Sequence, residues 1–153
     1  MQTQFTALNN EIIAFVEHCP ASLWRTPCAN DGRTVAVVAH HIASSHEPVM
    51  QLVQMVADAQ PLPALSYELF DAMNAHHAQQ AATCTQQEVI ALLQEKGQSV
   101  ATALRQLHPE QLARTAHIAF ANATMRAQDV IEQILIGHAQ MHFMNMQATS
   151  ALA

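Results

Sequence analysis

Apolar residues recur along this chain at intervals of three and four, the spacing that predicts amphipathic α-helices. The first such stretch predicts a helix over residues 3–19 that ends before Pro20. Its apolar positions are Leu8, Ile12, Phe15, Val16 and Cys19. A loop at 21–32 follows, and it contains Trp24, the only tryptophan, which we expect to anchor the loop by packing rather than to bind a substrate.

A second helix is predicted to begin near Thr34, whose side chain is suited to cap a helix N-terminus. Its apolar stripe has nearly heptad spacing, as in a helix that faces a bundle core. The stripe consists of Val35, Val38, Ile42, Ser45, Val49, Leu52 and Val56. Pro48 lacks a backbone donor and crowds the carbonyl of Ser44, so we expect a kink there.

A connection rich in proline at 61–63 precedes a predicted short helix over residues 67–82. The segment 85–88, Thr-Gln-Gln-Glu, matches a capping box and opens a third long helix. That helix contains Val89, Leu92, Leu93, Val100, Ala103, Leu104 and Leu107.

A loop or short turn is expected at 108–110, and a fourth long helix over residues 127–148. No linker, repeat or low-complexity tract divides the chain, so we predict one domain over residues 1–153. The predicted fold is all-α: a four-helix bundle with a long connection, containing a short helix, between its second and third helices.

Composition agrees with a compact helical protein. Half of the 153 residues are apolar, 12% are charged, and only three are glycine. The formal net charge is −6, and the six basic residues form no cluster that could neutralise phosphates, which argues against nucleic-acid binding. No apolar run has the length of a membrane span.

The amino-terminal segment lacks the basic start and apolar run of a secretory signal. The three cysteines, at positions 19, 28 and 84, are odd in number and lack the spacing of a metal site. We therefore expect reduced thiols and a cytoplasmic location.

Ten histidines are many for this length, and two of them are spaced to act together. Four residues on a helix advance the chain by about 6 Å and turn it only about 40° past a full circle, so His138 and His142 share one face. The preceding stripe of Ile131, Ile134 and Leu135 turns that face toward the core. Buried imidazoles need a partner, and a metal ion is one.

His41 is a third candidate, because it lies beside Ile42 at the flank of the second helix's apolar stripe. His40 is rotated about 100° from it and is expected to point elsewhere. Three neutral imidazoles could hold a divalent ion and leave coordination positions open for chemistry. Spacing alone also fits ordinary packed or exposed histidines, so both interpretations stay open at this point.

Other residues are weaker candidates. His76 and His77 are adjacent and so face different sides of a helix; one could line the site, but exposure to solvent is the favoured interpretation. His46 and Glu47 lie too far round their helix to join His41. The methionines at 141, 144 and 146 are expected to fill core or dimer contacts.

Three segments resemble the DinB-like superfamily, and within it the N-terminal domain of the mycothiol-dependent maleylpyruvate isomerases. Residues 34–43 match the second-helix pattern, residues 129–143 match the fourth-helix pattern, and residues 70–77 are similar to the connecting helix. The resemblance covers nearly the whole chain. It implies that the metal ligands are His41, His138 and His142.

The resemblance further implies an antiparallel four-helix bundle, often a homodimer, that holds a divalent ion. Zinc or nickel is favoured, with iron or manganese as alternatives. Some members use a low-molecular-weight thiol such as mycothiol, bacillithiol or glutathione. Similarity in the connecting helix suggests Asp71 and Asn74 as residues that orient a ligand histidine.

The leading functional hypothesis is a metal-dependent enzyme that performs thiol transfer or hydrolysis on a small molecule. Bound metal would act as a Lewis acid toward water or a substrate thiol. The sequence singles out no general base. Two alternatives stay open: a non-catalytic bundle that binds metal or a ligand in a stress response, and a bundle whose histidines are structural.

Overall fold

The computed structural model describes residues 1–152, and four long helices form its bundle. The elements, in chain order, are α1 (Gln2–His18), α2 (Ala21–Trp24), α3 (Val35–Ala57), α4 (Tyr67–Gln80), α5 (Gln86–Gln106), α6 (Pro109–Ala113), β1 (Thr115–Ile118), β2 (Ala123–Arg126), α7 (Ala127–Asp129), a π-helical segment (Val130–Ile136) and α8 (Gly137–Ser150). The last three join without a break into the fourth long helix. The predicted all-α four-helix bundle is confirmed.

The long connection between α3 and α5 follows from the directions of these helices. Ala36 accepts a hydrogen bond from the Cys84 thiol just before α5, and Glu47 pairs with Lys96 farther along both helices. These two neighbours therefore run parallel, whereas α1 with α5 and α3 with α8 are antiparallel pairs. Parallel neighbours need a crossover, and residues 58–85, which contain α4, supply it.

The caps predicted for two helices are present. The hydroxyl of Thr34 accepts a hydrogen bond from the Val37 amide at the start of α3. Thr85 and Glu88 form the capping box that begins α5. Trp24 is 4% exposed and donates from Nε1 to the carbonyl of Cys84, which confirms it as the anchor of the first loop.

Two apolar clusters fill the bundle, and a buried polar layer lies between them. One cluster contains Ile12 and Val38, and the other contains Phe5 and Val53. At the intervening level, Nε2 of His46 lies 2.9 Å from Oδ1 of Asn9, and Nδ2 of Asn9 donates to the carbonyl of Leu93 at 3.1 Å. This layer ties α1, α3 and α5 together.

A small β-hairpin replaces the loop expected before the fourth helix. Strands β1 and β2 pair antiparallel, with Thr115 opposite Arg126 and Ile118 opposite Ala123. The turn includes Asn122 at φ 47°, a left-handed conformation that asparagine tolerates better than most residues. Ile118 and Met125 are buried, so the hairpin closes one end of the core.

The π-helical segment explains how the fourth helix buries its apolar residues. In a π-helix, residues five apart are stacked, because each amide bonds to the fifth preceding carbonyl. Val130 and Leu135, and likewise Ile131 and Ile136, therefore lie on the same side of the segment, and all four are at most 2% exposed. No helix within residues 1–152 is both long and apolar enough to cross a membrane.

Candidate metal centre

Three histidines from two antiparallel helices converge in the bundle. His41 extends from α3, and His138 and His142 extend from successive turns of α8. Each offers one ring nitrogen, and these three nitrogens all lie within 4.8 Å of one another. The Nε2 atoms of His41 and His138 are 3.1 Å apart. The structure thus brings together the three residues that the sequence predicted.

The spacing of the nitrogens suits a first-row divalent ion. Zinc–imidazole bonds of about 2.1 Å at tetrahedral angles place two nitrogens about 3.4 Å apart. The His41–His138 separation is close to that value, and the widest separation in the set needs at most about 1.4 Å of closure, which side-chain rotation can supply. Three ligands leave at least one position free.

The three imidazoles are neutral at pH 7, the state that binds metal. Burial, reinforced by the neighbouring His138, lowers the pKa of His41 to about 2. Burial followed by the charge of His142 lowers the pKa of His138 to about 4. Burial and the nearby Arg33 also lower the pKa of His142. No proton has to be displaced from these rings at neutral pH before an ion binds.

A carboxylate that the sequence analysis did not single out lies behind one ligand. Asp31, in the loop before α3, places Oδ2 3.4 Å from Nδ1 of His142. Both side chains are 7% exposed. Burial would raise the pKa of Asp31, but its hydrogen bonds and ion pair with Arg33 outweigh burial and hold that pKa below its ordinary value. The group is therefore an anion inside the protein.

A second histidine pair borders the three ligands. His77, near the end of α4, lies with Nε2 2.8 Å from Nδ1 of His40 and 3.3 Å from Oγ of Ser44. The rings of His77 and His41 meet edge to face, with centroids 5.4 Å apart. Burial, and then the charge of His40, lowers the pKa of His77 to about 4.

Several minor expectations are corrected here. His77 is half-buried against α3 instead of exposed, whereas its neighbour His76 is exposed as expected. His40 points away from the three ligands, as predicted, but into contact with His77. The carboxylate next to a ligand ring belongs to Asp31, while Asp71 is exposed. Of the three methionines, Met146 is in the core as expected, and those at 141 and 144 are exposed, so a dimer contact for these two stays a prediction.

Sequence signals for the missed residues were weak. Asp31 lies in an Asp-Gly-Arg turn, a common loop composition that carries no information about a metal. Asn74 makes no side-chain hydrogen bond to the three ligands within residues 1–152, so the resemblance of the connecting helix located the neighbourhood of the site but not the right side chain. His77 could be recognised only once α4 was placed across α3.

The arrangement can bind one cation and expose it to a reactant. His142 is buried, whereas His41 and His138 are partly exposed, so the site has a closed side and an open side. Three neutral ligands leave the full charge of a divalent ion uncompensated by the first coordination sphere. Such an ion polarises a bound oxygen or sulfur atom effectively.

A protein-family model matches most of this chain. Residues 5–132 match the family model of the mycothiol maleylpyruvate isomerase N-terminal domain. That match ends before His138, so the assignment of His138 and His142 as candidate ligands depends on their position in the structure. No curated protein matches this chain.

One solved structure shares the fold. It is YfiT from Bacillus subtilis, described as a probable metal-dependent hydrolase with an unusual four-helix bundle topology. The superposition has a TM-score of 0.73 and covers 98% of this chain and 86% of YfiT, at 18% sequence identity. Since the family model spans well over half of the sequence, the chain belongs to the mycothiol maleylpyruvate isomerase N-terminal domain family of the DinB-like superfamily.

Proposed function

We propose that this protein is a metal-dependent enzyme that acts on a small molecule at a three-histidine centre. A single divalent ion would be held by His41, His138 and His142. The observation that carries the proposal is the convergence of three neutral imidazoles in a partly open site, with their ring nitrogens within 4.8 Å of one another.

When bound, the ion supplies Lewis-acid chemistry: it lowers the pKa of a coordinated water or thiol toward neutrality. The chain's residues hold and orient it. His142 forms the buried wall of the site, and His41 and His138 border the open side where a reactant enters. A hydrolase would use water there, and a thiol transferase would use a low-molecular-weight thiol, because a thiolate is both a nucleophile and a ligand for zinc-like ions.

Two findings support these reaction classes. The family is named for a mycothiol-dependent isomerase, and the structural neighbour is described as a hydrolase. We favour zinc or nickel as the ion, with iron or manganese as alternatives, because imidazole ligands suit zinc, nickel and iron. A homodimer and a cytoplasmic location remain our predictions.

The test compares the purified protein with and without metal. Protein stripped by a chelator is reloaded with zinc, nickel, manganese or iron and assayed with electrophiles plus mycothiol, bacillithiol or glutathione, and with ester and amide substrates. We expect turnover to require metal and to fall by at least 100-fold in His142→Ala. Exposed His117 supplies the matched control, since His117→Ala removes an imidazole outside the centre.

Activity that survives in a folded, metal-free His142→Ala variant would contradict the proposal. Stoichiometric metal binding without turnover of any substrate class would favour the non-catalytic binding module. Unfolding on metal removal would instead indicate a structural ion.

A further inference from the structure

We propose that Asp31 is a positioning residue that fixes the tautomer of His142, so that Nε2 of this ligand is free of a proton and faces the ion. The inference rests on the proposed metal centre and assigns a role to a loop residue outside the ligand set. Its basis is the contact between two nearly buried groups, Oδ2 of Asp31 and Nδ1 of His142, at 3.4 Å.

In the described part of the chain, Nδ1 of His142 has no hydrogen-bond partner other than the nearby carboxylate of Asp31. Nδ1 of His142 is buried and makes no aligned hydrogen bond within residues 1–152. A shift of about 0.5 Å toward Asp31 would give a normal charge-assisted N–H···O bond. A buried carboxylate accepts and cannot donate, so it selects the form of the imidazole with its proton on Nδ1.

Arg33, in the same loop, holds the carboxylate of Asp31 in place. Nη2 of Arg33 donates to Oδ2 of Asp31 at 2.7 Å, and Nε of the same guanidinium donates to Oδ1. Such a two-point pair fixes the plane of the carboxylate as well as its charge. Neither Arg33 nor the surrounding loop then has to move when an ion binds to the ligands.

The backbone of the loop is closed by its own hydrogen bonds. The amides of Asp31 and Gly32 both donate to the carbonyl of Cys28, and the amide of Cys28 donates to the carbonyl of Arg33. Gly32 has φ +76°, which side-chain-bearing residues rarely adopt. The turn therefore presents Asp31 to α8 in one orientation.

Arg33 also makes asparagine an informative replacement. A guanidinium has only donors, so in Asp31→Asn the amide oxygen would stay at the Oδ1 position with Nε of Arg33, and the NH2 group would take the Oδ2 position, lose the bond from Nη2 and face His142. Because the NH2 group is a donor, Nδ1 of His142 has to accept from it, and the proton of the ring moves to Nε2. A protonated Nε2 cannot bind the ion, so this nearly isosteric change should impair the site.

The experiment measures the tautomer and the metal affinity separately. Long-range 1H–15N spectra of the metal-free protein report which nitrogen of His142 carries the proton. We expect Nδ1–H in the wild type, Nε2–H in Asp31→Asn, and a mixture in Asp31→Ala, which removes the acceptor without adding a donor. An unchanged Nδ1–H signal in either folded variant would overturn the inference.

Zinc titration against a competing chelator supplies the second readout. Loss of a carboxylate that orients a ligand histidine weakens metal binding by about 10–100-fold, and we expect Asp31→Asn to fall in that range. The matched control is Asp129→Asn, which removes an equal charge from an arginine-paired carboxylate outside the centre and should leave the zinc affinity within about twofold.

The two readouts separate this inference from the proposed function. If the wild type binds none of zinc, nickel, manganese and iron, the metal-dependent function fails, and the metal-free spectra still decide the role of Asp31. If the wild type and Asp31→Asn bind zinc equally tightly, the positioning role is contradicted while the metal centre stands.

Discussion

At the scale of single residues, the buried polar layer accounts for an otherwise unusual glycine inside a helix. A Cβ at position 97 would lie 2.4 Å from Nδ2 of Asn9 and 2.9 Å from its Cγ. Asn9 cannot retreat without losing its contacts with His46 and Leu93. Gly97 is therefore required by close helix packing and not by a special backbone conformation.

Gly97→Ala should lower the free energy of unfolding by up to about 2 kcal/mol, because an overpacking cost of about 1–3 kcal/mol exceeds the gain of about 1 kcal/mol in helix propensity. Gly137→Ala is the matched control, since its Cβ would meet only a carbonyl oxygen at 3.4 Å. That variant should be neutral or slightly stabilised. Urea denaturation of both measures the effect, and a Gly97→Ala variant as stable as the control would show that Asn9 adapts freely.

His46 should make the fold sensitive to acid. Burial lowers its pKa from 6.5 to about 4, so below pH 6.5 the unfolded chain takes up a proton that the folded chain refuses. The contribution of His46 to the free energy of unfolding is complete above pH 6.5, and it falls by about 3 kcal/mol as the pH decreases toward 4. The stability of His46→Gln should therefore depend less on pH than that of the wild type, while exposed His117→Gln should match it. Parallel stability–pH curves for His46→Gln and the wild type would contradict the assignment.

At the scale of secondary-structure elements, helices with a regular apolar stripe could be predicted from the sequence, whereas the π-helical segment and the hairpin could not. The stripes of α1, α3 and α5 and the caps at Thr34 and Thr85 located three helices within a few residues. The π-helical segment was missed because its burial repeats every five residues, a period absent from α-helical and β-strand templates. The hairpin was missed because four-residue strands are too short to show an alternation.

The residues of the candidate site also divide into those that a local sequence pattern identifies and those that it does not. Spacing and the apolar stripe identified His138 and His142, because both ligands lie on one helix. His41 depended on the family resemblance, since one histidine beside a stripe is compatible with many roles. Asp31 and His77 reach the site only through the folding of a loop and of α4, which no local pattern records.

The helix α4 should be the least protected of the helices longer than ten residues. It contains no buried residue, and its side-chain contacts with the rest of the bundle include His77 and the edge-to-face pair of Phe70 with Phe120. Local opening therefore costs little burial. Hydrogen–deuterium exchange should label residues 67–80 well before α3 and α5, and equal protection of α4 and α5 would contradict this expectation.

At the scale of the whole molecule, the apolar core is a source of stability that does not depend on the candidate metal centre. The two apolar clusters extend through all four long helices without the ligand histidines. An ion bound to the folded state adds RT ln(1 + [L]/Kd), about 2.7 kcal/mol at a hundredfold excess over Kd. Chelation should lower Tm by several degrees and leave the helical circular dichroism at 25 °C unchanged. Loss of that signal on chelation would mean that the ion is needed for folding.

The most direct test of the metal centre is the metal content and ligand environment of the purified protein. X-ray absorption spectroscopy on the zinc- or nickel-loaded chain, together with elemental analysis, should show one ion per chain with three imidazole nitrogens. His138→Ala should lose that ion, and His117→Ala should keep it. A wild type that takes up no ion, or a His138→Ala variant that retains one with an unchanged spectrum, would contradict the account.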